Sequence, residues 1–148
     1  MTEQAKFLTF MLGAETYGLP ILQVKGINQM QPLTHVPRMP SFIKGVINLR
    51  GKIIPIIDLR LKFGLEEAEH NDRTCIIVVE LEEGGRQSGF IVDEVSEVLD
   101  VTSDNIEPPP ADAGLTLEYL TGIGKAKGKV IMLLDPFKIL SQNEMSML

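Results

Sequence analysis

Apolar residues in this chain come in short runs, and glycine punctuates them. "KFLTFML" passes through "GAET" to "YGLPI", and "GVINL" passes through "RG" to "KIIPIID". "TCIIVVEL" passes through "EEGGRQ" to "SGFIVDEV", and "EYLTGIGKA" passes through "KG" to "KVIMLLD". Runs of this length, rich in Ile and Val and separated by Gly-containing turns, predict β-hairpins. Pro55 removes one backbone donor inside "IIPIID", which predicts an edge strand or a bulge there. Helices are few and short. "DLRLKFG" (58–64) starts on a capping Asp and stops at Gly64, and "DPFKIL" (135–140) has an Asp cap followed by Pro. "PSFIKG" (40–45) has the length of one or two helical turns, "EEAEHND" (66–72) reads as a charged connector, and "SDNIEPPPADAG" (103–114) as an extended, solvated loop. In the tail "SQNEMSML", "FKIL" before it is expected to pack and the last few residues to fray.

The pattern repeats. "GVINLRGKIIPIIDLRLKF" begins at Gly45 and "GIGKAKGKVIMLLDPFKIL" at Gly122. Each has a second glycine (Gly51, Gly128), a lysine after it (Lys52, Lys129) and an aspartate closing the strand (Asp58, Asp135). Upstream, Gly18 aligns with Gly89, Val24 with Val95 and Ile27 with Val98. The chain therefore reads as two copies of one unit, roughly 6–65 and 73–140. About five short strands per unit are most economically closed into a small barrel, which hides their edges, with an apolar seam between the barrels.

Composition narrows the function. The chain has 148 residues, 44% hydrophobic and 23% charged, which excludes a disordered polymer. A net charge of −6 repels phosphate backbones, and with no Trp and two Tyr there is little to stack on bases; no nucleic-acid partner is expected. The basic run "GKAKGK" reads as a solvated turn. No apolar run reaches the roughly 20 residues of a bilayer span, and the start lacks a signal-peptide pattern, so a cytoplasmic protein without membrane insertion is expected. The one cysteine, Cys75, fits a reducing compartment.

Chemistry is sparse. One Cys and two separated histidines, His35 and His70, supply no tetrahedral zinc set, and neither His is placed beside a nucleophile. Asp58, Asp93 and Asp135 could be read as acid–base carboxylates, but each follows an apolar strand, where capping backbone N–H groups is the ordinary role. "GIGKAKG" has the wrong glycine spacing for a phosphate loop. No metal, no cofactor and no enzyme activity are expected, and the profile is that of a binding module. Arg50 is conspicuous here: it stands at a predicted hairpin turn, and the nearest acidic residue in sequence is Asp58.

"FLTFMLGAETYGLPILQV", "VPRMPSFIKGVINLRGKIIPIIDLRLKFG", "GFIVDEVSEVL" and "EYLTGIGKAKGKVIMLLDPFKIL" together resemble the chemotaxis coupling proteins of the CheW family, over about residues 6–145. The resemblance implies a mainly β fold of two five-stranded SH3-like barrels within a single domain, 1–148. The first barrel would cover about 6–65, the second about 73–135, and a C-terminal helix at about 135–143 would pack back on the first. It implies a non-enzymatic adaptor that couples methyl-accepting chemoreceptors, through their cytoplasmic tips, to the regulatory domain of the histidine kinase CheA, and that is recruited to membrane receptor arrays. Alternatives are a same-fold adaptor with another output, such as twitching motility, or a small-ligand sensor using the cleft between lobes. Carried over residue by residue, the partner surface comprises Val24, Gly26, Gly45, Arg50 with its motif neighbours Asn48 and Gly51, and Val98, a position associated with receptor coupling. The chain departs from the family at one place. "VKGI" puts Gly26 where the family usually has a glutamate that can pair with the "NLRG" arginine.

Overall fold

The structure is a computed structural model that describes residues 4–82, 85–109 and 118–147. Alternating and continuous apolar runs form eleven strands: β1 (Gln4–Leu12), β2 (Glu15–Pro20), β3 (Val24–Gln29), β4 (Ile43–Leu49), β5 (Lys52–Asp58), β6 (Cys75–Glu80), β7 (Gln87–Val92), β8 (Glu94–Thr102), β9 (Ile106–Glu107), β10 (Leu120–Ala126) and β11 (Lys129–Leu134). Two short helices, α1 (Leu59–Lys62) and α2 (Gln142–Ser146), and three 3-10 turns complete the described chain. The mainly β architecture with few helices is as expected.

The strands build two sheets, ordered β8-β1-β2-β11-β10-β9 and β3-β6-β7-β5-β4. Neither sheet is one repeat. The hairpin β1–β2 joins strands of the second repeat through antiparallel β1–β8 and parallel β2–β11 pairing. The hairpin β6–β7 joins strands of the first through antiparallel β3–β6 and parallel β5–β7 pairing. The two repeats thus exchange their leading hairpins, and the division into barrels at 6–65 and 73–135 does not describe the sheets. The first sheet also gains a sixth strand, the two-residue β9.

Once the exchange is made, the two sheets match register for register. Ile56 lies opposite Gly89 and Leu133 opposite Gly18 at the two parallel junctions. Both β4–β5 and β10–β11 carry an irregularity at the repeated glycine, between Ile43 and Gly45 and between Leu120 and Gly122. The Asp58 N–H donates to the Phe42 carbonyl at 2.7 Å, and the Asp135 N–H to the Tyr119 carbonyl at 2.9 Å.

Three apolar clusters follow from this arrangement. Ile47, Ile54, Ile56, Ile76, Val78 and Ile91 fill the five-stranded sheet, and Phe7, Leu99, Val101, Ile131 and Leu133 fill the six-stranded one. The third and largest takes residues from both, among them Leu8, Phe10, Leu19, Ile57, Ile77, Phe90 and Leu134, and forms the seam. A ladder of rings, Phe10–Tyr17–Phe63–Tyr119, runs along it with centroids 4.7–5.8 Å apart. Arg60 adds a forked ion pair to Asp93 from Nε at 2.7 Å and Nη2 at 2.5 Å, and Asp93 also accepts from the Gly13 N–H at 2.7 Å.

Local readings fared unevenly. Asp58 caps α1, accepting from the N–H groups of Arg60 and Leu61, and the chain leaves the helix at Gly64 with φ +79°. Asp135 caps the turn Pro136–Lys138. The expected helix at 135–143 is instead that turn followed by a separate α2, which begins with a Ser141–Glu144 capping box. The tail does not fray over 142–146: Lys62 reaches Glu144 at 2.8 Å, and Arg86 donates to the Met145 carbonyl at 2.8 Å. Residues 40–42 form a turn, with β4 starting at Ile43. β5 is interior to its sheet, so Pro55 is not on an edge. It sits one residue before the first registered pair with β7, and its carbonyl accepts from the Ser88 hydroxyl at 2.8 Å. The end of the loop read over 103–114 lies outside the described residues.

Candidate partner-binding site

The β4–β5 hairpin closes on two residues, Arg50 and Gly51, with φ of +54° and +84°. Positive φ at both central positions is the signature of a tight hairpin turn whose twist matches its strands. Glycine takes it freely; for arginine it is a sterically disfavoured conformation held by the surrounding ladder. The Asn48 side-chain oxygen accepts from the Gly51 N–H at 2.9 Å and pins the turn. Asn48 and Arg50 are both exposed. The guanidinium is therefore presented by a rigid tip rather than by a flexible loop.

Across the mouth of the five-stranded sheet lies β3. Gly26 and Asn28 of that strand line, together with Leu49, Arg50 and Lys52, a hollow of about 240 Å³. The fold thus brings Gly26 and Arg50 together, as the resemblance implied. Lys25 also lines the hollow and is answered by Glu80 of β6 at 3.0 Å. Among the described residues Arg50 and Lys52 have no ion pair, and no carboxylate lines the hollow. A second, more apolar furrow of about 430 Å³ adjoins it, sharing Lys52 and Gln87 and lined by Ile53, Ile54 and Pro55. Ile53 is 65% exposed, which is unusual for a side chain of its size.

The remaining residues of the sequence-derived set lie elsewhere. Val24 is half-buried and packs against the seam. Gly45 is buried at the β4 irregularity with φ +151°, and a Cβ there would strike the Thr34 carbonyl oxygen. Close backbone approach by itself requires glycine there. Val98 is exposed on β8 of the other sheet. Sequence reasoning missed Lys52 and Ile53, whose hairpin position was visible but whose exposure was not.

The second hairpin is the same device with its charges closed. Lys127 and Gly128 have φ of +51° and +71°. Lys127 meets Glu97 of β8 at 2.9 Å, and Lys129 approaches the same carboxylate at 3.9 Å. The Lys127 hydrogen bond holds the Glu97 carboxyl below its ordinary range.

No group of acidic, His or Cys side chains among the described residues could hold a metal ion. No helix among them is long and apolar enough to cross a membrane. Burial raises the Cys75 thiol pKa, which disfavours the reactive thiolate.

Known proteins resemble this chain along nearly all of it. The family model described as the CheW-like domain matches residues 6–144. The chemotaxis protein CheW of Klebsiella aerogenes is 44% identical, over 96% of this chain and 85% of its own length. Protein FrzA of Myxococcus xanthus is 32% identical, over 93% of this chain and 86% of its own. The crystal structure of the scaffolding protein TtCheW from Thermoanaerobacter tengcongensis superposes with a TM-score of 0.87 at 37% identity, covering 96% of each chain. With the exchanged β-sheets and the glycine–arginine hollow already in view, these matches show that the chain belongs to the CheW-like domain family.

Proposed function

We propose that this chain is a non-enzymatic adaptor of bacterial chemotaxis that couples methyl-accepting chemoreceptors to the histidine kinase CheA. The observation that carries it is the rigid tip at Arg50: an exposed guanidinium on a pinned turn, beside a furrow floored by Ile53 and Pro55. An arginine fork next to exposed apolar surface is the composition of a protein-recognition site, because Arg supplies directional donors and the aliphatic groups supply burial. Full-length likeness to proteins named chemotaxis protein CheW, and to a scaffolding protein, supports the same reading. The partners are the regulatory domain of CheA and the cytoplasmic tips of the receptors. The protein works in the cytoplasm and is recruited to receptor arrays.

Calorimetric titration against the isolated regulatory domain of the kinase from the same cell tests the reading. Saturable binding is expected, and Arg50→Glu should abolish it while leaving Tm nearly unchanged, because an exposed charge contributes little to folding. Absence of binding by the wild-type chain removes the coupling reading; a large fall in Tm would make Arg50 structural. A same-fold adaptor with a different output is the second reading, favoured by the likeness to FrzA, which bears no chemotaxis name. Deleting the gene and scoring swimming against surface motility separates the two.

A further inference from the structure

We propose that the hollow at Gly26 is an open seat for one carboxylate side chain of the partner protein, held between Arg50 and Lys52. This deepens the adaptor reading and rests on it for the partner's identity.

The argument comes from the chain's own internal symmetry. β3 and β8 carry a bulge at the same place in their pairing with the exchanged hairpins. Val24 faces Val79 and Ile27 faces Ile77, with a register shift between Val24 and Gly26. Val95 faces Phe10 and Val98 faces Leu8, with a register shift between Leu8 and Phe10. On β3 the unpaired residue is Lys25, and Gly26, opposite Val78, comes just before Ile27. On β8 Ser96 and Glu97 fill the same gap, and Glu97 comes just before Val98. Gly26 and Glu97 are therefore counterparts. Arg50 and Lys52 correspond in turn to Lys127 and Lys129. The six-stranded sheet therefore shows the occupied form of the site: one carboxylate at the bulge, gripped by the turn cation at 2.9 Å with the next cation at 3.9 Å. The five-stranded sheet keeps both cations and the turn geometry, and deletes the carboxylate.

No other carboxylate among the described residues fills the gap. A Cβ built on Gly26 meets only the Asn28 side-chain oxygen, at 3.9 Å, so the space is open. Glu80 is engaged with Lys25. Two unpaired cations on neighbouring positions of a fixed hairpin repel each other, and an anion between them relieves that repulsion while using the forked donors of arginine. A free carboxylate in water would be held weakly, since it loses its freedom of motion for one contact. A carboxylate delivered by a docked protein loses little more on seating, and the adjoining apolar furrow offers the surface for docking. The occupant is therefore an Asp or Glu side chain of a protein.

The test uses the whole chain and the isolated regulatory domain of the kinase. Gly26→Glu is expected to fold normally, given the open space, and to weaken binding about tenfold or more, because its own carboxylate takes the seat and repels the incoming one. Conversion of the partner's Asp and Glu residues to Asn and Gln should find one position that costs the wild-type chain a similar factor and costs the Gly26→Glu chain nothing. Unchanged affinity of Gly26→Glu overturns the proposal. Should the wild-type chain not bind this domain, the coupling reading fails separately, and NMR titration with N-acetyl-glutamate methylamide reads the hollow directly. Saturable shifts at the Arg50 Nε–H that vanish in Gly26→Glu then support the seat; no shift there overturns it. Shifts with this probe beside an unchanged protein affinity of Gly26→Glu would mean a free-anion site and overturn a protein occupant.

Discussion

The two hairpin tips of this protein are built alike and finished differently. Each is a two-residue turn of positive φ with a cation first and glycine second, followed by lysine and an exposed β-branched residue, Ile53 or Val130. At the second tip Lys127 and Lys129 share Glu97. At the first, Arg50 and Lys52 face Gly26. The difference teaches that one backbone device can be a closed surface or an interaction site according to whether the chain supplies its own counter-charge. It also shows why the Arg50 side chain costs nothing to leave in water: the turn holds the backbone, and the guanidinium is not needed to do so.

The comparison can be broken first at the glycines. Gly45→Ala should destabilise by about 3 kcal/mol or more, because the new Cβ meets a backbone carbonyl in a conformation that L-residues avoid. Its counterpart Gly122→Ala should cost about 1–2 kcal/mol, since the nearest obstacle is the movable Ile106 side chain at 2.8 Å. Urea melts of the two variants give the contrast, and equal costs would show that the repeats tolerate crowding alike. Next comes the seam. Asp93→Asn should lose about 1–3 kcal/mol at neutral pH, because Arg60 keeps its charge and donor fork but loses the carboxylate that answers them. The Arg60 hydrogen bond depresses the Asp93 pKa against the opposing effect of burial, helped by the Gly13 N–H. A depressed carboxylate contributes stability that is present above its unfolded pKa and lost as pH falls through the folded one. The gap between wild type and Asp93→Asn should therefore be full at neutral pH and close in the acid range below about pH 4. A pH-independent gap would assign the loss to packing rather than charge. The smallest effect belongs to the closed tip. Glu97→Gln should barely move Tm, and it should leave Lys127 and Lys129 as unpaired as Arg50 and Lys52 are now. If that variant binds the kinase domain more tightly through its six-stranded sheet, open cations are sufficient for recognition; unchanged affinity would place the specificity in the Ile53–Pro55 furrow.

Much of this was legible from residues alone. Hairpins at glycine-punctuated Ile/Val runs, Asp caps at Asp58 and Asp135, and the repeat itself all rest on local chemistry with a fixed spacing, and all appear in the fold. Gly26 and Arg50 were brought into one site by resemblance, and the hollow bears out their proximity. The structural demand on Gly45 was not legible, because a glycine required by close backbone approach looks, in sequence, like any other turn or surface glycine. Glu97 as the counterpart of Gly26 was within reach: the aligned pairs Val24–Val95 and Ile27–Val98 flank it. Without the paired bulges there was no physical reason to compare the residue between them.

The sequence by itself determined that this protein is a twice-repeated set of short strands with rigid two-residue tips, because turn chemistry and apolar periodicity act over a few residues. Only the tertiary structure decided which hairpin belongs to which sheet. Pairing across the seam is chosen by burial of Phe10, Leu19, Ile77 and Phe90 from both halves, a collective choice that no local pattern encodes. The same long-range pairing sets β3 beside the β4–β5 tip, and so leaves Arg50 facing a glycine where its twin faces a carboxylate.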